Sequence, residues 1–101
     1  MVNRYRGEVA LTFGSETHTL CLTLDALARL EDALGCADLP TLMARLTGGD
    51  LTAAQIKTVL TEALVAGGAS RPGAERFLRS LGRPAELTRA YADLIRATFA
   101  S

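Results

Sequence analysis

The stretch "NRYRGEVALTFGSETHTLCLTL", residues 3 to 24, decides the fold. Val9, Leu11 and Phe13 alternate with Glu8, Ala10 and Thr12. Leu20, Leu22 and Leu24 alternate with Thr19, Cys21 and Thr23. Such alternation marks strands buried on one side. "GSET" between the runs supplies a turn, with Gly14 free to take a positive φ. The stretch therefore predicts an antiparallel hairpin. Side chains alternate across a strand, so Val9, Leu11, Phe13, Leu20 and Leu22 share one face. Ala, Thr and Cys make the other, which is flat, half-polar and uncharged in its middle. Two strands alone are marginal in water, so this hairpin needs a cover.

Working outward, everything after residue 24 reads as helix. Thr23 is placed to cap a first helix, and Asp25 lies in its first turn, where a negative charge suits the dipole. Leu27, Leu30 and Leu34 form its apolar stripe, and Gly35 is suited to end it. A short second helix is expected over about 39–46, with Asp38 as cap and Pro40 harmless in the first turn. Its apolar face is Leu39, Leu42, Met43 and Leu46, and Gly48-Gly49 stop it. The third helix has the clearest start: Thr52 and Gln55 make a capping box, flanked by Leu51 and Ile56 at the staple positions. Its stripe is Ile56, Val59, Leu60, Ala63 and Leu64, and Gly67-Gly68 end it. A fourth helix is expected in "SRPGAERFLRSLG", residues 70–82, with Phe77, Leu78 and Leu81 as its apolar positions. The last runs over about 84–99, striped by Leu87, Tyr91, Leu94, Ile95 and Thr98 or Phe99. The expected fold is α+β and mainly helical: a β-hairpin over 1–24, then about five helices over 25–101, in a single domain.

The composition agrees with this reading. The chain has 101 residues, near the common domain size, and is 49% hydrophobic, enough for a small core. Every long apolar stretch is broken by charge or Thr, so no membrane span is expected. The first residues enter the strand pattern directly, so no secretory leader is expected. A bacterial cytoplasmic protein is the simplest expectation, and ten Arg to one Lys fits a G+C-rich genome. The charges sum to zero unevenly. Residues 1–69 carry five bases against eight acids, a net of −3, while residues 70–101 carry six Arg against three acids, a net of +3. This polarity suits head-to-tail contact between copies or with a partner. It is too mild to point to nucleic acid, which calls for clustered basic residues.

No catalytic constellation emerges, and the chain is expected not to be an enzyme. His18 stands alone, with Glu16 and Leu20 as its neighbours two positions away. A strand would send Cys21 to the opposite face, which disfavours a Cys–His pair. Cys21, Cys36 and one histidine do not make a zinc site. In a cytoplasmic protein the two cysteines are expected to stay reduced. Glu31 and Asp32 are adjacent on a helix, splay apart and are expected to face water. The diglycines lack the Lys-Ser/Thr of a phosphate loop. No cofactor or metal is implied. Arg76, Arg79 and Arg83 read as a solvated face. A helix-turn-helix from the third and fourth helices is a further reading. It is disfavoured by a Gly-rich joint and by a recognition helix without Asn, Gln or Lys for base edges.

The order of parts is nevertheless specific. The opening Asn3-Arg4-x-Arg6-Gly7-Glu8, the hairpin, "LTLDALARLEDALG", the short Leu-rich helix with its Gly-Gly break, and a helix running into Ala66-Gly67-Gly68 resemble a gene transfer agent and phage tail assembly family. The likeness covers about the first 68 residues closely and the remainder in outline, to the final "ATF". It implies a tail morphogenesis protein of a gene transfer agent or prophage, associated with the phage-like particle. Two roles go with such proteins. A tail assembly chaperone coats the tape-measure protein and helps recruit tail-tube subunits. A structural component forms the tube itself. A tube subunit calls for a larger β-sandwich, so the helical bulk favours the chaperone, by analogy from fold. The implied partners are the tape-measure protein, tail-tube subunits and, through the hairpin edge, another copy. Helix-in-groove contact and β-augmentation are the expected modes. The candidate contact residues are Val9, Leu11, Phe13, Leu20 and Leu22 on the hairpin, with Tyr91 and Ile95 on the last helix.

Overall fold

A computed structural model describes residues 7–99. The Asn3-Arg4-x-Arg6 run and the first residues of the expected hairpin segment lie outside the described residues. In order, the elements are β1 (Val9–Phe13), β2 (Glu16–Leu20), α1 (Leu24–Leu34), α2 (Leu39–Thr47), α3 (Ala53–Ala66), α4 (Arg71–Leu81) and α5 (Pro84–Phe99). This is the α+β arrangement read from the sequence, a hairpin followed by five helices.

Local start and stop signals set the helix ends. The Ala26 N–H donates to Thr23 Oγ1 at 3.2 Å and opens α1. Gly35, at φ +69, closes it in the left-handed region where only glycine is unstrained. The Thr41 N–H donates to Asp38 at 2.8 Å to cap α2. Hydrogen bonds from Thr41, side chain first and then backbone, hold the Asp38 carboxyl below its ordinary range. At α3 both arms of the capping box are made: Gln55 N–H to Thr52 Oγ1 at 3.1 Å, and Thr52 N–H to Gln55 Oε1 at 2.9 Å. Ser70 caps α4 through the Gly73 N–H at 3.0 Å.

The hairpin departs from its expected register. Val9 pairs with Leu20, Leu11 with His18 and Phe13 with Glu16. The turn is only Gly14-Ser15, so Glu16 and Thr17 belong to the strand rather than to a four-residue turn. Gly14 has φ +63 and Ser15 has no positive φ, the pattern of a II′ turn, which matches the strand twist. β2 then ends at Leu20, and Leu22 lies off the sheet. The cause is a change of partner: the Cys21 backbone N–H donates to the Ala63 carbonyl of α3 at 3.2 Å. Two residues later Thr23 is capping a helix. His18, not Leu22, completes the face with Val9, Leu11 and Leu20. Its ring lies 4.3 Å from that of Phe77 in α4.

α3 is the central element. It packs against α1, α4, α5 and β2, and every residue from Val59 to Leu64 is buried. A helix wetted along one face would show period 3.6 in its burial. Its own Leu60 and Leu64 are fully buried, and so are Leu20, Leu30, Leu42, Leu46, Phe77 and Leu94 around it. Each such side chain contributes about 1.5–3 kcal/mol relative to exposure. Glu62 is also buried, and Arg71 pairs with it through two bonds, at 2.7 and 3.2 Å. That pair ties the start of α4 to α3 and holds the Arg71 proton more tightly than usual. Where α3 ends, Gly67 presses on β2 so closely that a Cβ there would lie 1.9 Å from the Thr19 carbonyl oxygen. Glycine is required at this seam for space, since its φ of −81 suits any residue.

Candidate partner-binding surface

The hairpin is held on two sides. β2 lies against α3, and β1 lies against α5. The structure thus brings together the hairpin and the last helix, the two places the candidate contact residues come from. Within that unit the seven residues separate by burial. Leu20 is fully buried and belongs to the core. Val9, Leu11, Leu22 and Ile95 are half-buried and pack against the core. Tyr91 is half-buried too, and its hydroxyl donates to the Leu46 carbonyl of α2 at 2.5 Å. Burial, and secondarily the charge of Asp50, pushes the Tyr91 pKa up to about 12. Phe13, beside the turn, keeps 38% of its surface in water.

The opposite face of the hairpin carries Ala10, Thr12 and Thr17, all exposed. The Thr12 and Thr17 hydroxyls lie 3.0 Å apart, a cross-strand hydrogen bond that keeps this face flat. Thr19 is half-buried against α3, and Cys21 has left the sheet, so the face ends there. A smooth, uncharged strip of short side chains beside an exposed phenylalanine suits the approach of another backbone or an apolar helix.

Two exposed apolar residues lie outside the seven candidates. Leu24 shows 74% of its surface and Met43 shows 38%. Leu24 continues the apparent alternation of the second strand, but it is the first residue of α1 and points to solvent. Met43 sits at a stripe position of α2 that the bundle does not cover. Unbranched methionine adapts to irregular partner surfaces.

Other chemistry is sparse. His18 lies 3.4 Å from Glu16, with its ring against Phe77. Glu31 is half-buried rather than fully in water. A groove of about 370 Å³ runs between α3 and α4, lined by Lys57, Thr61, Glu62, Arg71 and Glu75. Its two central charges, Glu62 and Arg71, are engaged with each other. No group of three or more His, Cys, Asp or Glu among the described residues is placed to hold a metal ion. No helix among them is long and apolar enough to cross a membrane.

A family model described as "phage tail tube protein, GTA-gp10" matches residues 6–101. No curated protein and no solved structure matches the chain.

Proposed function

The chain belongs to this family of phage tail proteins, and from that premise we propose that it acts in tail assembly as a non-enzymatic chaperone for the tape-measure protein. The observation that carries this reading is the shortage of sheet. Among the described residues there are two strands of five residues each, against five helices. A tube wall built from subunit sheets calls for far more strand. The helices supply instead a small core whose rim exposes Phe13, Leu24 and Met43. A tape-measure protein is long and striped with apolar residues, which aggregate when bare. Shallow apolar sites at the rim of a helical body would cover them reversibly. The uncharged Ala10–Thr12–Thr17 strip would accept a segment laid across the hairpin.

The test is co-expression with a tape-measure protein encoded by the same phage-like element. A soluble complex recovered by pull-down supports the chaperone role, and a tape-measure protein that stays insoluble and unbound refutes it. A second reading, a component of the tube, is favoured by the family's own description. Mass spectrometry of purified particles separates the two. A tube component is present in many copies per particle, whereas an assembly chaperone is absent or sparse. DNA binding through α3 and α4 is the weakest reading, because the outward face of α4 offers Arg76, Arg79 and Glu75 but no Asn or Gln.

A further inference from the structure

The uneven charge takes a definite place in the fold. α4 turns Ala74, Phe77, Leu78 and Leu81 inward. Arg76 and Arg79 are exposed on its outer side, and Arg83 follows just past its end, also exposed. Arg76 and Arg79, three residues apart, lie on one side of α4, and Arg83 adds to this basic stripe from just beyond Gly82, the left-handed residue that closes the helix. None of the three makes an ion pair within the described residues, whereas Arg71 is taken by Glu62 and Arg96 by Asp93. Glu75 is the one acid exposed beside that stripe on α4, and the main acidic cluster lies elsewhere. Asp25, Glu31 and Asp32 on α1, with Asp38 just after it, face a single base, Arg29, for a net of −3. Asp25, Asp32 and Asp38 are exposed. α1 and α4 each pack on α3 rather than on each other, which keeps the acidic and basic surfaces on separate helices.

We propose that the Arg76–Arg79–Arg83 stripe of one copy docks on the acidic α1 surface of another, head to tail. A second copy is the occupant because this chain carries both complementary surfaces and keeps them apart. One copy can therefore use both at once. Such an interface is heterologous, closing into a ring or growing as a filament according to its rotation. Exposed charge pairs of this kind set orientation and encounter rate and are strongly screened by salt. The inference does not depend on the tail reading, and its failure leaves the tape-measure test untouched.

The experiment is sedimentation velocity on the full chain, across protein concentration and from ~20 mM to ~500 mM salt, over which the screening length falls several-fold. The expected result is association at low salt, weakened about tenfold or more at high salt. Arg76→Glu/Arg79→Glu/Arg83→Glu should abolish it, and the milder Arg→Gln set should weaken it. Mixing the Glu variant with Asp25→Arg/Asp32→Arg should restore association between two chains that do not associate alone. Circular dichroism melts confirm that each variant is folded. A monomer at every salt concentration overturns the proposal. So does association indifferent to salt or to the α4 reversals, or a mixed pair that stays apart. Binding of duplex DNA by the stripe without self-association also overturns it.

Discussion

Replacing Gly67 by alanine tests the seam that fixes the hairpin to the helical body. The added Cβ falls 1.9 Å from the Thr19 carbonyl oxygen and 2.7 Å from its carbon. Both are backbone atoms, so no side chain can swing aside. To reach even 3.0 Å, the lower limit of real Cβ contacts, β2 must retreat by 1.1 Å. That movement carries the Cys21 N–H, now 3.2 Å from the Ala63 carbonyl, out of hydrogen-bond reach. Overpacking of this sort costs about 1–3 kcal/mol, and the lost bond about 0.5–1.5 kcal/mol. The φ of −81 imposes no conformational penalty, and a less flexible unfolded chain returns about 0.4–1 kcal/mol. The expected net loss is about 2–3 kcal/mol, or a Tm lower by about 10–20 °C in a domain of this size. Thermal and urea unfolding followed by circular dichroism measure it. Amide exchange locates it: the Cys21 amide should lose protection while α1 and α2 keep theirs. A Tm within about 2 °C of the parent, with Cys21 still protected, would refute the close approach.

Three other perturbations follow from named contacts. Arg71→Ala leaves the buried Glu62 carboxylate without its partner and should cost about 1–2 kcal/mol, less than a fully buried pair because Arg71 is half-exposed; adding Glu62→Leu should recover part of that loss in urea melts. Tyr91→Phe removes the bond to the Leu46 carbonyl and should cost about 1 kcal/mol. The folded-state pKa of Tyr91, about 12, lies above the ordinary value of 10.0. Its contribution is therefore complete below pH 10 and lost as pH rises from 10 to 12, so stability should fall over that window in the parent and less in the variant, with tyrosinate absorbance as a direct check. Thr52→Ala breaks the capping box and should cost about 1 kcal/mol by chemical denaturation, with Gln55 unable to compensate.

The helices were legible because their signals are local. Thr23, Asp38, Thr52 and Ser70 each bond an amide three residues on, and a cap read from residue type needs no tertiary knowledge. The second strand was harder because its pattern outlasts its pairing. Thr19–Leu20–Cys21–Leu22–Thr23–Leu24 alternates without a break, yet the sheet ends at Leu20. What stops it is the Ala63 carbonyl, more than 40 residues away in sequence. The alternation therefore hid three roles: Leu20 in the core, Leu22 at a crossing, and Leu24 exposed at the start of a helix. His18 shares the face of Leu20 by the same period of two, and the two-residue turn, shorter than the one read from the sequence, is what sets it opposite Leu11.

How deeply each of the seven candidate residues is covered was not legible in the sequence, for a related reason. Period two identifies which residues share a face but not how deeply a face is covered, which depends on where the helices stop. β2 is covered at its far end by the close of α3, and the covering thins toward the turn. Leu20 is thus lost to the core while Phe13, on the same face, keeps over a third of its surface in water. The gradient runs along the hairpin, from an end clamped by Gly67 and Cys21 to a free tip at Gly14-Ser15. A partner can therefore engage the tip without disturbing the core. The clamp keeps a two-stranded ribbon, marginal by itself, ordered enough to present that tip.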